Sequence, residues 1–288
     1  MANTKVATTN QQKVGFATFC ANPAVKQNIA NVVGERQVEK FIASVVSAVQ
    51  TNKALSECTN SSIFSAALLG QALNLSPSPQ LGQFYLVPYK DRKTGVSEAQ
   101  FQIGAKGYKQ LAIRSGQYKK IVTSVVKKGE LKSFNPITEE YVFEPILDME
   151  LRESLPVVGY YASFTLTNGF QKEIYWSKEK MVEHAKKYSQ GYRSDVQKGT
   201  AYTFWSKDFD GMAEKTMIRQ LISKWGIMSI DLQKAYESDM GVLAEGGEVR
   251  YVDNVADDPS DVASQEISEN ANTENLTVES EIIEGDFS

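Results

Sequence analysis

The sequence is poor in the residues that most catalytic and metal sites need. Among 288 residues there is one histidine, His184, and there are two cysteines, Cys20 and Cys58. A single imidazole excludes a histidine cluster around a metal, and the two cysteines form neither a zinc-ligand pattern nor a disulfide framework. The thiols are therefore expected to be free and buried in a reducing compartment, and His184 to have a surface or packing role.

Nucleotide-binding motifs and membrane-crossing segments are also missing. No Gly-Lys dipeptide occurs, so the phosphate-binding P-loop is absent, and no G-x-G-x-x-G follows a predicted strand. No apolar run approaches the about 20 residues that span a bilayer. Residues 1–12 are polar and lack the apolar stretch of a secretory signal. We therefore expect a cytoplasmic protein that uses no cofactor and no metal.

Basic residues are scarce near the C-terminus, and this hides a strong charge asymmetry. The whole chain has a formal net charge of −4, but residues 237–288 hold fifteen acids and one base, which gives −14 there and +10 on residues 1–236. A segment this acidic and this poor in large apolar residues cannot bury enough apolar surface to offset the conformational entropy that it would lose on folding. We predict a disordered acidic tail over 237–288, attached to a body basic enough to bind nucleic acid.

Residues 1–78 have the period of helices. Asn22-Pro23 is a cap followed by a first-turn proline. The apolar positions between Val38 and Val49 fall on one stripe, and a further helix begins near Asn60 and ends before Pro77. No chemistry is visible here, so we interpret residues 1–78 as a helical lobe for packing or subunit contacts.

Residues 79–236 alternate between strand and helix periods, which predicts an α+β core. One hairpin is expected between 84–89 and 99–103. A second is expected around the turn Thr167-Asn168-Gly169. Ser177 is a cap for a helix to about Lys187. A polar loop is then expected over 188–203, followed by one long helix over 206–225.

Cations cluster within residues 101–132, where eight basic residues accompany one acid, Glu130. The stretch reads as strand, helix and strand, with Gly104 and Gly107 allowing a tight entry into the helix. Lysines on a helix are often only a solvated surface. However, a merely soluble surface usually mixes both signs, so the lack of acids favours contact with a polyanion.

The helix in this cluster has two distinct faces. Tyr108 and Leu111 lie on an apolar face, whereas Lys106, Gln110 and Arg114 lie four residues apart on another. This spacing predicts one face packed in the core and one cationic face open to a ligand.

A second basic stripe is predicted on the long helix. Lys207, Gly211, Lys215 and Arg219 repeat every four residues, and the glycine would let a ligand approach the backbone. Acids also lie nearby on this helix: Asp208, Asp210 and Glu214. Intrahelical ion pairs are therefore an equally good explanation of this stripe.

Close carboxylates offer little support for a nuclease. Asp208 and Asp210 form one close pair, and Glu139 and Glu140 form another. Acids one or two residues apart on a helix point in different directions, whereas a Mg²⁺ site needs convergent oxygens. The residues therefore predict no hydrolytic centre.

A set of motifs in a fixed order resembles the RecT family of phage recombinases (RecT/Redβ-type single-strand annealing proteins). The match spans about residues 80–230, and its motifs are QFYLVPYK at 83–90, FQIGAKGYKQLAIRSG at 101–116, TNGF at 167–170, YWS at 175–177, WSKDFDGMA at 205–213, KTMIR at 215–219 and KWG at 224–226. The whole set is far more specific than any one motif.

The resemblance implies a protein that is not an enzyme but binds single-stranded DNA and pairs it with a complementary strand without ATP, in the bacterial host cell. It implies rings or helical filaments, an annealed duplex intermediate, and work beside a phage 5′-to-3′ exonuclease and the host single-strand-binding protein. The implied core is a bent antiparallel sheet packed on a long helix.

Combined with the two basic stripes, this predicts which side chains contact DNA. The expected phosphate contacts are Lys106, Lys109, Gln110, Arg114, Lys119, Lys120, Lys127, Lys198, Lys207, Lys215 and Arg219. The expected contacts to sugars or bases are Tyr202, Trp205 and Phe209, for which core burial is the alternative.

Two further possibilities stay open at this stage. The chain could be a non-annealing structural or adaptor protein that binds DNA, and its acidic tail could either fold over the DNA groove as a mimic of DNA or dock a partner. In either case, a protein ending near Tyr236 is expected to fold.

Overall fold

The computed structural model describes residues 14–78, 80–90, 94–243 and 249–251. It begins with four helices: α1 (Phe16–Cys20), α2 (Pro23–Val33), α3 (Val38–Thr51) and α4 (Asn60–Ala72). The predicted start of α2 is confirmed, because the Asn22 side chain accepts a hydrogen bond from the Ala24 amide. Cys20 and Cys58 are both buried, and neither forms a disulfide within the part of the chain that the structure describes.

The remaining elements follow in chain order: β1 (Phe84–Lys90), β2 (Ser97–Ile103), α5 (Ala105–Arg114), β3 (Tyr118–Lys127), β4 (Leu131–Asn135), β5 (Glu140–Phe143), α6 (Met149–Ser154), β6 (Val157–Leu166), β7 (Gln171–Ser177), α7 (Lys178–Tyr188), α8 (Gln190–Lys198), α9 (Phe204–Lys207), α10 (Phe209–Trp225), α11 (Ile230–Ser238), β8 (Gly241–Leu243) and β9 (Val249–Tyr251).

The strand pairings are antiparallel, which confirms the α+β class and both predicted hairpins. The strands do not form one bent sheet. They form a four-stranded sheet in the order β1-β2-β8-β9, a three-stranded sheet in the order β3-β6-β7, and the two-stranded β4-β5 hairpin. β8 pairs with the free edge of β2, and β3 pairs with β6 in a separate sheet.

The long helix α10 packs against β3, β6, β7 and α5 and so joins the cationic stretch to the core. Buried apolar side chains form one continuous cluster from Phe16 to Leu243. The helical segment therefore shares its core with the α+β segment.

The polar loop predicted over 188–203 is wrong in part, because residues 190–198 form α8. The Ser189 hydroxyl accepts a hydrogen bond from the Tyr192 amide and caps this helix. Asp195 then gathers donors from the following turn, and it accepts the Thr200 hydroxyl at 2.7 Å and the Thr203 amide at 2.8 Å. These bonds hold the pKa of Asp195 below its ordinary value and fix the connection to α9.

The single helix predicted over 206–225 is interrupted at Asp208. Its backbone leaves the helical region, with φ −145° and ψ 73°, and its carboxylate accepts the Gly211 amide at 3.0 Å as the N-cap of α10. Lys207 therefore ends α9 and does not continue the stripe of α10. The space that Gly211 leaves open is filled by the Asp208 side chain, not by a ligand.

The predicted boundary of the disordered tail at Glu237 is too early. Ser238 and Asp239 are buried, and β8 and β9 extend the sheet beyond them. The Met240 amide donates to the Phe101 carbonyl at 2.9 Å, which fastens this segment to β2. The rest of the predicted tail, residues 252–288, lies outside the described residues, as do 1–13.

Candidate nucleic-acid interface

The start of α5 is fixed by a close contact with the turn before β1. The Gly104 amide donates to the Gln83 carbonyl at 2.8 Å, and a Cβ at Gly107 would collide with that same carbonyl oxygen. Only glycine fits there. The first turn of α5 holds no acid and no side-chain cap, so the positive end of the helix dipole lies beside Lys106.

The two faces of α5 differ as the spacing predicts. Tyr108 and Leu111 are buried, whereas Lys106 and Gln110 are exposed. Within the described ranges, no carboxylate lies within ion-pair distance of Lys106. This face of the helix therefore presents a cation and a neutral donor to the solvent.

Arg114, at the end of the same face, has a structural partner. Its guanidinium donates to the Leu73 carbonyl and, at 3.4 Å, to the Asn74 carbonyl. Both carbonyls lie at the C-terminal end of α4, where a cation satisfies unpaired acceptors. Arg114 therefore anchors α5 to the helical segment, although the side chain is exposed.

A chain of hydrogen bonds ties α5 to β3 and α10. Lys109 Nζ donates to the Thr123 hydroxyl at 2.7 Å, and that hydroxyl donates to Glu214 Oε2 at 2.8 Å. Part of the charge of Lys109 is thereby offset by a nearby carboxylate. The bonds hold the exposed face of α5 rigidly relative to β3.

Two consecutive lysines are exposed at the start of β3. Lys119 and Lys120 both face solvent because the register of β3 with β6 shifts between Tyr118 and Lys120, as in a β-bulge. At the other end of the strand, Lys127 Nζ donates to the Leu155 carbonyl at 2.8 Å and stabilises the end of α6. The structure therefore separates Lys127 from the exposed cations.

Aromatic rings lie beside Lys106 on the side of β1 and α9. The rings of Tyr85 and Phe204 are 5.9 Å apart, and the Tyr85 hydroxyl and Lys106 both lie over Gly82. Burial first, and then the charge of Asp208, raise the pKa of Tyr85. The alternation of β1 in the sequence places Tyr85 on the face of the strand opposite to Phe84. No sequence pattern connects Tyr85 to Phe204, so the sequence did not predict either ring as part of the site.

The predicted aromatic contacts divide between solvent and core. Tyr202 is 79% exposed, and Lys207 at the end of α9 is also exposed. Trp205 is buried, with its ring 5.2 Å from that of the half-buried Phe209. Core packing, the alternative that the sequence left open, therefore holds for Trp205 and in part for Phe209. Lys198 is exposed at the C-terminal end of α8, where a cation also suits the helix dipole.

The second basic stripe is not a surface, and the prediction for Lys215 is wrong. Lys215 is 6% exposed, and its Nζ lies 2.9 Å from Asp239 Oδ1. Arg219 lies 3.9 Å from the other carboxylate oxygen and 4.3 Å from the Tyr236 ring centroid. Burial lowers the pKa of Lys215, and the Asp239 carboxylate partly offsets this.

Asp239 is the centre of this buried network. Its oxygens also accept the Ile103 amide at 3.1 Å and the Tyr108 hydroxyl at 3.2 Å. One carboxylate from the C-terminal segment thus links β2, α5 and α10. Lys215 and Arg219 therefore stabilise the fold through Asp239.

The described ranges show neither a metal cluster nor a membrane-spanning helix. They hold no group of three or more His, Cys, Asp or Glu side chains placed to bind a metal ion. Nor do they contain a helix both long and apolar enough to cross a bilayer.

The exposed cations lie on one helix–strand unit and on α9, with aromatic rings beside them. Such an α+β protein belongs to the class that binds the backbone of nucleic acids. The model of the RecT family matches residues 39–251. The chain therefore belongs to the RecT family, which acts in DNA recombination by single-strand annealing.

Two relatives agree with this. The chain is 39% identical over 225 residues to the uncharacterized protein YqaK of Bacillus subtilis (strain 168), covering 78% of this chain and 72% of the relative. It is 30% identical over 232 residues to Protein RecT of Escherichia coli (strain K12), covering 77% of this chain and 79% of the relative.

Proposed function

We propose that the chain is an ATP-independent annealing protein of phage homologous recombination, which holds one DNA strand on α5, the start of β3 and α9. The observation that carries the proposal is the group of exposed cations on a rigid unit: Lys106, Lys119, Lys120 and Lys207. Gln110 adds a neutral donor in the same place. Lys198 stays a more distant candidate for a phosphate contact.

The mechanism follows from charge. Two bare strands repel each other through their phosphates, and a cationic surface lowers that repulsion and releases counterions. Tyr202, Phe204 and Tyr85 offer rings against which sugars or bases can pack without regard to sequence. Base edges that stay free can then test a second strand.

Complementarity supplies the specificity that the protein itself does not need. Each stacked base-pair step stabilises a correct duplex by about 1.4 kcal/mol, so a few matched steps separate a true partner from a random one. No nucleotide hydrolysis is required, since pairing is downhill. A filament or ring of copies would hold a strand extended over many such steps. A phage 5′-to-3′ exonuclease and the host single-strand-binding protein are the expected partners.

The test measures how fast two complementary oligonucleotides pair. A fluorophore on one strand and a quencher on the other report pairing as a loss of fluorescence. We expect purified protein to speed pairing equally with ATP, with a non-hydrolysable analogue and with no nucleotide. A strict ATP requirement would contradict the proposal. Binding without faster pairing would instead indicate the adaptor role, and shortening of a labelled strand with Mg²⁺ would indicate a nuclease.

A further inference from the structure

One end of the three-stranded sheet carries exposed apolar side chains between acidic ones. Leu147 is 85% exposed, Met149 59% and Leu151 50%. The acids that alternate with them are also exposed or near the surface: Asp148, Glu150 and Glu153. We call residues 147–153 the α6 patch.

The α6 patch is held firmly in this position. Arg152, its single base, is 2.6 Å from Glu130 and donates to the Val125 carbonyl at 3.0 Å. These contacts and the bond from Lys127 to Leu155 tie α6 to the end of β3. Glu150 and Glu153 lie three residues apart and share one face of α6, and Met149 lies four residues before Glu153, so these exposed side chains are neighbours on the helix surface.

The opposite end of the same sheet carries exposed apolar side chains beside cations. Its apolar members are Phe170, Trp225, Ile227 and Ile230. The Tyr118 hydroxyl donates to the Ile227 carbonyl at 3.0 Å, and Lys172 Nζ lies 4.7 Å from the Trp225 ring centroid. Lys224 is exposed, and Lys234 is exposed four residues after Ile230, on the same side of α11. We call this group the Trp225 patch.

Strand register places the two patches far apart. Tyr118 pairs with Leu166 at the end near the Trp225 patch, and Lys127 pairs with Val157 at the end near the α6 patch. β6 has 10 residues, so the ends lie roughly 30 Å apart at a rise of about 3.3 Å per residue. A single chain therefore cannot bring its own two patches together.

We propose that the α6 patch of one copy binds the Trp225 patch of the next copy. Lys172 already pairs with Glu139, so among the described residues the free charges of the Trp225 patch are those of Lys224 and Lys234, opposite in sign to the acids of the α6 patch. Both patches also expose apolar side chains, which is the complementarity of a specific contact. Residues 252–288 hold eleven acids and no base, so the chain's own C-terminal segment has the wrong sign to cover the α6 patch.

Because the two patches are different surfaces, this contact is heterologous. Each added copy leaves one free patch at either end of the assembly, and repetition gives a closed ring or an open helical filament. The inference deepens the self-association in the proposed function and rests on it.

Charge reversal tests the contact directly. One variant carries Glu150→Lys and Glu153→Lys, and another carries Lys224→Glu and Lys234→Glu; all four positions are exposed, so folding should be unchanged. Each variant alone brings like charges together, and we expect single subunits by sedimentation velocity at concentrations where the wild type assembles. Mixed in equal amounts, the two variants should assemble again, since each junction then joins opposite charges. Glu183→Lys, exposed on α7 away from both patches and from the helical segment, is the control and should assemble like the wild type.

A second measurement separates this contact from the proposed function. Each variant should still bind an oligonucleotide short enough for one subunit, within about two-fold of the wild-type affinity. If either variant alone keeps the wild-type mass, or if mixing restores nothing, the contact is wrong. Wild-type annealing activity, measured in parallel, shows whether the proposed function survives that result.

Discussion

Helices α5 and α10 both carry polar and cationic side chains at every fourth position, and the fold uses them in opposite ways. Lys106 and Gln110 of α5 face solvent, whereas Lys215 of α10 is buried against Asp239. A spacing of four determines which side chains share a face of a helix, but not what that face meets. The surroundings of each helix decide between a ligand and an ion pair.

The surroundings differ because α10 is covered on most sides. It lies between the three-stranded sheet, α5 and the C-terminal segment, so a charge on it needs a buried partner. α5 packs through its apolar face and is anchored by Lys109 and Arg114, which leaves Lys106 and Gln110 exposed. The same residue type is therefore buried in an ion pair on one helix and exposed to solvent on the other.

The largest expected effect is the loss of Asp239. Asp239→Ala leaves the charge of Lys215 buried without its partner, and the free energy of unfolding should fall by about 3–5 kcal/mol. Chemical denaturation measures this, with Glu237→Ala, an exposed acid two residues earlier, as the control. Equal stability of the Asp239→Ala and wild-type proteins would contradict the buried network.

The same network reverses an expectation drawn from the sequence. A protein ending at Tyr236 lacks Asp239 and β8, so we now expect it to fold poorly, whereas one ending at Tyr251 keeps them both. Thermal unfolding of the two proteins measures this. A lower melting temperature for the protein that ends at Tyr236 would place the end of the folded region after Asp239.

A smaller effect, on DNA binding, is expected from a change on the exposed face of α5. Lys106→Ala should weaken binding of single-stranded DNA a few-fold for all sequences and reduce the salt dependence by about 0.7, as expected for one phosphate contact. Its stability should stay within about 0.5 kcal/mol of the wild type. Titration at several salt concentrations measures the slope, with Lys53→Ala as the control. Lost stability with unchanged binding would make this stripe structural too.

Removal of residues 252–288 should act only through charge. A tethered polyanion competes weakly with DNA at a millimolar effective concentration. The protein ending at Tyr251 should therefore bind DNA more tightly at low salt, and the gain should shrink once the Debye length falls to about 10 Å at 0.1 M. Annealing of bare oligonucleotides should persist. A complete loss of annealing would assign this segment to the assembly machinery.

The smallest expected effect is a pH dependence of the buried network. Burial first, and then the Asp239 carboxylate, hold the pKa of Tyr108 well above its ordinary value. The unfolded chain therefore releases this proton near pH 10, below the folded chain, and the free energy of unfolding falls as the pH rises through that window. Tyr108→Phe should lose less stability between about pH 9 and pH 11. Parallel curves for the two proteins would contradict this.

Local signals in the sequence predicted much of the fold. The Asn22-Pro23 cap, the Thr167-Asn168-Gly169 turn and the Ser177 cap act within a few residues, and each set the element that it predicted. The two faces of α5 followed from a clear helical period.

The errors came from contacts between distant residues. Asp195 fixes the connection after α8 through donors five and eight residues later, and Asp239 reaches cations 20 and 24 residues earlier in the chain. The spacing of residues in the sequence does not reveal the partners of Asp195 or of Asp239. A polar run looks the same whether it is solvated or satisfied internally.

The place of Asp239 also has a mechanical consequence. Any partner that grips residues beyond Tyr251 pulls first on β9, then on β8, and then on a carboxylate bonded to the back of α5 through Tyr108. After Asp239, the next element that such a pull would reach is α5, the helix that carries Lys106. Tension on the C-terminal segment would therefore reach α5 and β2 through the hydrogen bonds of Asp239 to Tyr108 and Ile103.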